Sequence, residues 1–146
     1  MAAVPCRGRP ADPSTHFAGF PKDDVSPISC QDNVAFDPHG NPWISTDGAP
    51  GTLGAHDALF GVPVKGAERG QVRRFPSVPE GAETCGPIVQ DQRVLDAVQH
   101  PGRTDGSTYE SPSSHRPGGG RRIPRPSLVV VVWSKGGRVV PWVSAR

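Results

Sequence analysis

One strand–turn–strand plan occurs twice in this chain, and that repetition limits what it can fold into. In the first copy VAF (34–36) and WIST (43–46) flank DPHGN; in the second CGPIV (85–89) and VLDAVQ (94–99) flank QDQR, at an offset of 53 residues. In DPHGN, Asp37 can bond the backbone ahead, Pro38 presets φ and Gly40 can take a positive φ, so the segment predicts a β-hairpin. ALFGVPV (58–64) and QVRRFPSV (71–78) predict two more strands around a GAERG turn, their prolines marking edges or strand ends. Residues 127–133 predict a last firm strand, and GRVVPWV (137–143) a weaker one interrupted by Pro141. No segment carries a helical period.

Short strands with regular turns and a repeat of this length point to propeller blades. At ~40–50 residues per blade the chain holds at most about three, whereas a closed ring needs roughly four to eight. The expected fold is therefore all-β: two to three antiparallel blade-like units of a β-propeller, with an incomplete ring. Composition sets a further limit. Gly 18 and Pro 18 make up about a quarter of the 146 residues, and hydrophobic residues are 34%. Such a chain buries a modest core and orders only part of itself. Residues 1–15 are expected to be disordered, 16–133 to form the partial propeller with 101–126 as a flexible loop, and 134–146 to form a weakly structured tail.

Several function classes fall away. A net charge of +2 gives no reason to expect a nucleic-acid or anionic-membrane partner. The GGGRR stretch (118–122) has no aromatic neighbours and reads as a loop rather than an RNA contact. Cys6, Cys30 and Cys85 lack a CxxC spacing, which argues against a disulfide framework or a structural zinc site. LVVVVW (128–133) is too short to cross a bilayer, and the first residues lack the apolar stretch of a secretory signal. There is no P-loop and no GxSxG nucleophile motif. Trp43, Trp133 and Trp142 are expected to fill the space between sheets.

The polar residues around the hairpins carry what chemistry there is. Asp32 and Asn33 precede the first strand of the first hairpin. They could supply oxygen to a hard cation such as calcium, although by themselves such residues more often cap a strand. Glu83, beside a Thr-Cys-Gly-Pro turn, stands in the corresponding place before the second hairpin and reads as a metal ligand or a solvated loop residue. Asp47 in TDG and His100 in QHPG end the second strand of each hairpin, as supporting groups, ligands or turn formers. Cys85 could bind a soft metal but is also a small residue suited to burial.

Four stretches together carry a family resemblance: FAGFPKDDVSPISCQDNVAFDPHGNPWISTDG (17–48), DALFGVPVKGAERGQVRRFPSVPEGAETCGP (57–87), AVQHPG (97–102) and RPSLVVV (125–131). In that order they resemble the C-terminal part of PhoX-type alkaline phosphatases, exported bacterial β-propeller enzymes. The resemblance implies hydrolysis of phosphate monoesters with calcium and iron as cofactors. It also implies a periplasmic or secreted location reached by twin-arginine export, although this chain shows no such signal. Matching residue by residue, it implies that Glu83, in Gly-Ala-Glu-x-Cys-Gly-Pro, and Asp32, in a Gln-Asp-Asn version of Pro-Asp-Asn, are metal-site carboxylates, with Asn33 beside Asp32. Departures accompany it. QDQRVLD shortens the second turn and puts Asp96 where an inward hydrophobe is expected, and WSKGGRVVPWVSAR leaves the pattern. The expectation is thus an incomplete phosphatase fragment, inactive alone, whose partner is the rest of the ring; the alternative is a calcium-binding β-module or remnant without turnover.

Overall fold

The computed structural model describes residues 17–139. Seven strands form two antiparallel sheets. The first runs β1 (Gln31–Phe36), β2 (Pro42–Thr46), β3 (Ala58–Gly61), β4 (Arg73–Ser77) in that spatial order; the second runs β5 (Glu83–Gln90), β6 (Arg93–Gln99), β7 (Ser127–Val132). The chain is thus nearly all-β, two blade-like units with no closed barrel among the described residues. Each expected hairpin is present. The strands predicted over 58–64 and 71–78 are shorter than expected; beyond Val62, whose N–H still donates to the Pro42 carbonyl, Pro63 has no N–H to give.

The turn of the first hairpin is built on one buried carboxylate. Asp37 Oδ1 accepts the N–H groups of His39 and Asn41, both at 2.9 Å, and Oδ2 accepts Asn41 Nδ2 at 2.8 Å and Trp43 Nε1 at 3.4 Å. Burial alone would raise its pKa. The donors from Asn41, His39 and Trp43 outweigh burial and hold it below the ordinary value. Asn41 Oδ1 then accepts the Val64 N–H, tying the turn to the chain beyond β3.

The core lies between the sheets. Trp43 and Leu59 of the first sheet pack with Val89 and Val94 of the second and with Val139, and Phe75 meets Trp43 edge-on, ring centroids 5.2 Å apart. A second cluster joins Val78, Ala82 and Val98, with Val129 against it. Strand alternation explains which residues enter: Val94, Asp96 and Val98 point inward from β6, while on β7 Leu128, Val130 and Val132 are exposed. Polar side-chain contacts help pin the sheets together. Asn33 Oδ1 accepts the Gly86 N–H at 3.1 Å, the Thr46 N–H donates to Thr84 Oγ1 at 3.3 Å, and His39 Nε2 meets Asp91 Oδ1 at 2.8 Å.

The structure corrects several expectations. A helix, α1 (Ala49–Leu53), follows β2. Five residues cannot show a helical period, and its signals are conformational: Pro50 sits in its first turn, with Gly48 (φ +114°) before it and Gly54 (φ +64°) after it. Asp32 and Asn33 do not precede β1 but lie within it, where the register with β2 shifts between Gln31 and Val34. Thr84–Pro87 is not a turn but part of β5, which accommodates Gly86 (φ +57°) at a register shift between Cys85 and Ile88. Trp133 is 61% exposed rather than buried between the sheets, since β7 ends before it; Trp142 lies outside the described residues, as does most of the weak strand expected over 137–143. The segment 1–15 also lies outside them. Residues 101–126 hold no helix or strand; among their backbone bonds, Ser113 N–H donates to Gly102 O and Gly119 N–H to His115 O.

Candidate functional site

Glu83, Asp47 and His100 meet at one end of the sheet interface. Asp47 directly follows β2, His100 directly follows β6, and Glu83 opens β5. The repeat explains the meeting: Asp47 and His100 hold equivalent places in the two hairpins, and packing the sheets brings those ends together. Glu83 Oε1 lies 3.1 Å from His100 Nε2. The other ring nitrogen, Nδ1, is 3.1 Å from the Gly81 carbonyl. A carbonyl only accepts, so Nδ1 is the ring nitrogen that carries a hydrogen in that contact.

The electrostatics are those of crowded carboxylates. Burial raises the Glu83 pKa most, the hydrogen bond with Asp47 and the repulsion of its charge add to that, and His100 pulls partly the other way. The Glu83 side chain is only 13% exposed. The backbone flanking Asp47 is held by Asp57. Thr46 Oγ1 donates to Asp57 Oδ1 at 2.7 Å, and the Gly48 and Ala49 N–H groups donate to Oδ2 and Oδ1 at 3.1 and 2.9 Å. Thr84 Oγ1, donating to the Ala58 carbonyl, braces the same corner from the second sheet.

A cavity of about 610 Å³ opens beside the cluster, bordered among others by Asp47, His100, His56, Asp57, Glu80 and Arg103. Its rim depends on Gly81 (φ +71°): a Cβ there would come within 2.5 Å of the Arg103 backbone nitrogen. Gly102 N–H donates to the Glu80 carbonyl at 2.8 Å and closes that contact.

Of the residues expected from sequence, Glu83 thus has chemical company. Asp32 is exposed, its carboxylate has no partner among the described residues, and it is not among the groups acting on Glu83. Asn33 sits nearby on β1 with its side-chain oxygen engaged by Gly86. Cys85, partly buried, lies opposite Ala97. Sequence reasoning missed Asp57, His39 and Asp91; the one available signal was an Asp immediately before the apolar ALFG run.

A model of the family described as alkaline phosphatase PhoX matches residues 3–102. This chain belongs to the PhoX alkaline phosphatase family. No curated protein and no solved structure matches it. The matched span contains Asp32, Asn33, Asp47, Glu83 and His100 of this PhoX chain, and excludes the resemblance read over 125–131. PhoX membership brings an alkaline phosphatase type of activity at family level, hence a phosphate ester as substrate.

Whether the PhoX residues present fit a metal can be judged from their donors. Asp47 and Glu83 offer hard oxygens and carry a repulsion that a cation would relieve. Yet both His100 nitrogens are directed at protein oxygens, and among the described residues no group of three His, Cys, Asp or Glu is disposed to hold a metal ion. The described residues therefore supply part of a ligand set and not a whole one. No helix among them is long and apolar enough to cross a membrane.

Proposed function

We propose that this chain contributes to phosphate monoester hydrolysis of the PhoX type, with Glu83 at the centre of its contribution and Asp32 and Asn33 as further metal-site residues. One observation carries the reading: a nearly buried glutamate is pressed against a second carboxylate and an imidazole at a seam between two sheets, beside a cavity large enough for a small ester. Burial and a like charge both oppose the ionisation of Glu83, a combination that clusters at functional sites. Calcium and iron, the cofactors of the reading, would polarise the phosphoryl oxygens and offset their charge. The chain's own residues do the rest. Asp47 and Glu83 present negative oxygens, Gly81 fixes the His100 ring through Nδ1, and Asp57 holds the segment that carries Asp47.

The alternative is a non-catalytic remnant or calcium-binding β-module without turnover. Two measurements separate the readings. Calcium titration of the chain should show binding weakened about 10-fold or more by Glu83→Gln, by analogy with the loss of groups that support a metal site, and weakened also by Asp32→Asn. Equal affinity of the Glu83→Gln and wild-type chains would overturn the role given to Glu83. Hydrolysis of a chromogenic phosphate monoester, with calcium and iron supplied, then decides turnover: none from the chain by itself favours the binding module or an incomplete phosphatase, and turnover lost in Glu83→Gln favours the enzyme.

A further inference from the structure

Asp96 lies on the inward face of β6, between Val94 and Val98, and pairs across the ladder with Val129 of β7. It is 1% exposed, and its carboxylate oxygens have only the backbone N–H groups of Ala97 and Cys85 nearby, neither at full hydrogen-bond geometry. Burial pushes its pKa up to about 6, and the N–H groups of Ala97 and Cys85 offset only part of that. No charged side chain acts on it. β7, β2 and β3 carry no titratable residue. β5 carries Glu83 and Cys85, β1 carries Asp32, β4 carries Arg73 and Arg74, and the 78–82 segment carries Glu80. Of these, Arg73 is committed to Glu68 and Gln71, and Arg74 lies over the Phe60 ring.

An ionised carboxylate here is a charge without a counter-ion at the face where the two sheets meet, and it is relieved when the sheets part enough to admit water. The same interface holds the functional cluster, since Asp47 comes from the first sheet and Glu83 and His100 from the second. We propose that Asp96 makes the docking of the two sheets protonation-dependent, firm when its carboxyl is neutral and loosened when it is ionised, so that the Asp47–Glu83–His100 cluster is assembled under the control of a residue outside it.

The direction follows from linkage. The docked state holds the Asp96 proton to higher pH than the undocked chain, so docking weakens as pH rises from about 4 to about 6 and then levels off. With an ordinary value of 3.8 against about 6, the Asp96 contribution to the folding constant falls about 30-fold across that range. Urea unfolding from pH 4 to 8 of the wild type, Asp96→Asn and Asp96→Val tests this. The ratio of the wild-type to Asp96→Asn folding constants should fall about 50-fold between pH 4 and pH 7, because the groups common to both cancel. Asp96→Val should exceed the wild type in stability at pH 7.5. Carbon-13 titration of the Asp96 carboxyl in the wild type gives an independent readout that needs no variant to fold. Parallel pH profiles for wild type and Asp96→Asn, or an Asp96 resonance titrating near 4, would overturn the proposal.

Discussion

Asn33 and Gly86 join the two sheets directly: the Asn33 side-chain oxygen accepts the Gly86 N–H at 3.1 Å, at the point where both strands depart from regular register. The irregularities are what make this possible, since each turns a polar group out of its own ladder and toward the neighbouring sheet. Asn33→Asp keeps the acceptor and should leave stability within about 0.5 kcal/mol, whereas Asn33→Ala should lose about 1 kcal/mol. Urea denaturation midpoints check both. Equal losses in the two variants would mean that the bond contributes nothing.

Asp57 has a larger role than its place outside the cluster suggests. Replacing it with Ala strands the buried Ala49 N–H and the part-buried Gly48 N–H and leaves the Thr46 hydroxyl only its longer contact to the Ala58 carbonyl at 3.4 Å. Leaving such donors unsatisfied costs about 1–3 kcal/mol each, partly relieved by relaxation, so Asp57→Ala should lose about 3 kcal/mol overall. Thermal unfolding measures this. Calcium titration of the same variant should show weaker binding, because the segment carrying Asp47 loses its anchor.

The acid limb of stability belongs to Asp37. Its pKa is lowered in the folded chain from the ordinary 3.8, so its stabilisation is present above about pH 4 and is lost as pH falls below that. Asp37→Asn should therefore flatten the loss of stability between pH 4 and pH 2, and lower stability at pH 7 by about 1–2 kcal/mol as charge-assisted bonds become neutral ones. Chemical denaturation across that range decides it; an unchanged acid limb would remove Asp37 from the account.

Gly81→Ala tests the rim of the cavity. A side chain at φ +71° is strained by about 1–2 kcal/mol on conformational grounds alone. Its Cβ would also press into the Arg103 backbone, so the loop must move. Loss of the His100 Nδ1 contact to the Gly81 carbonyl should follow, visible as a shifted His100 ring resonance in NMR spectra. A variant with wild-type stability and an unmoved His100 signal would show that the contact is dispensable.

Much of the fold was legible because strand and turn chemistry are local. DPHGN spells its turn, and the alternation in VLDAVQ gives the buried face of β6. What escaped depends on partners distant in sequence. Helix α1 is held by Asp57, eight residues beyond Ala49, and within APGTL only Pro50 in the first turn hints at it. Trp133 looked like core, yet its strand ends before it and the side chain stays in water. The site was half legible for the same reason. Glu83, Asp47 and His100 could each be named from their places in the repeat, but only packing shows that they meet, and that Asp32 stands apart from Glu83's electrostatic neighbours.

Asp47 and His100 fill one position in two copies of a single hairpin plan, and they have diverged to opposite chemistry. Neither copy owns the resulting cluster, which exists only along the seam where they interlock. An insertion or deletion in the connecting stretch between β3 and β5 could thus leave both hairpins intact and still erase the chemistry, making the length of that connector as much a functional determinant as any side chain.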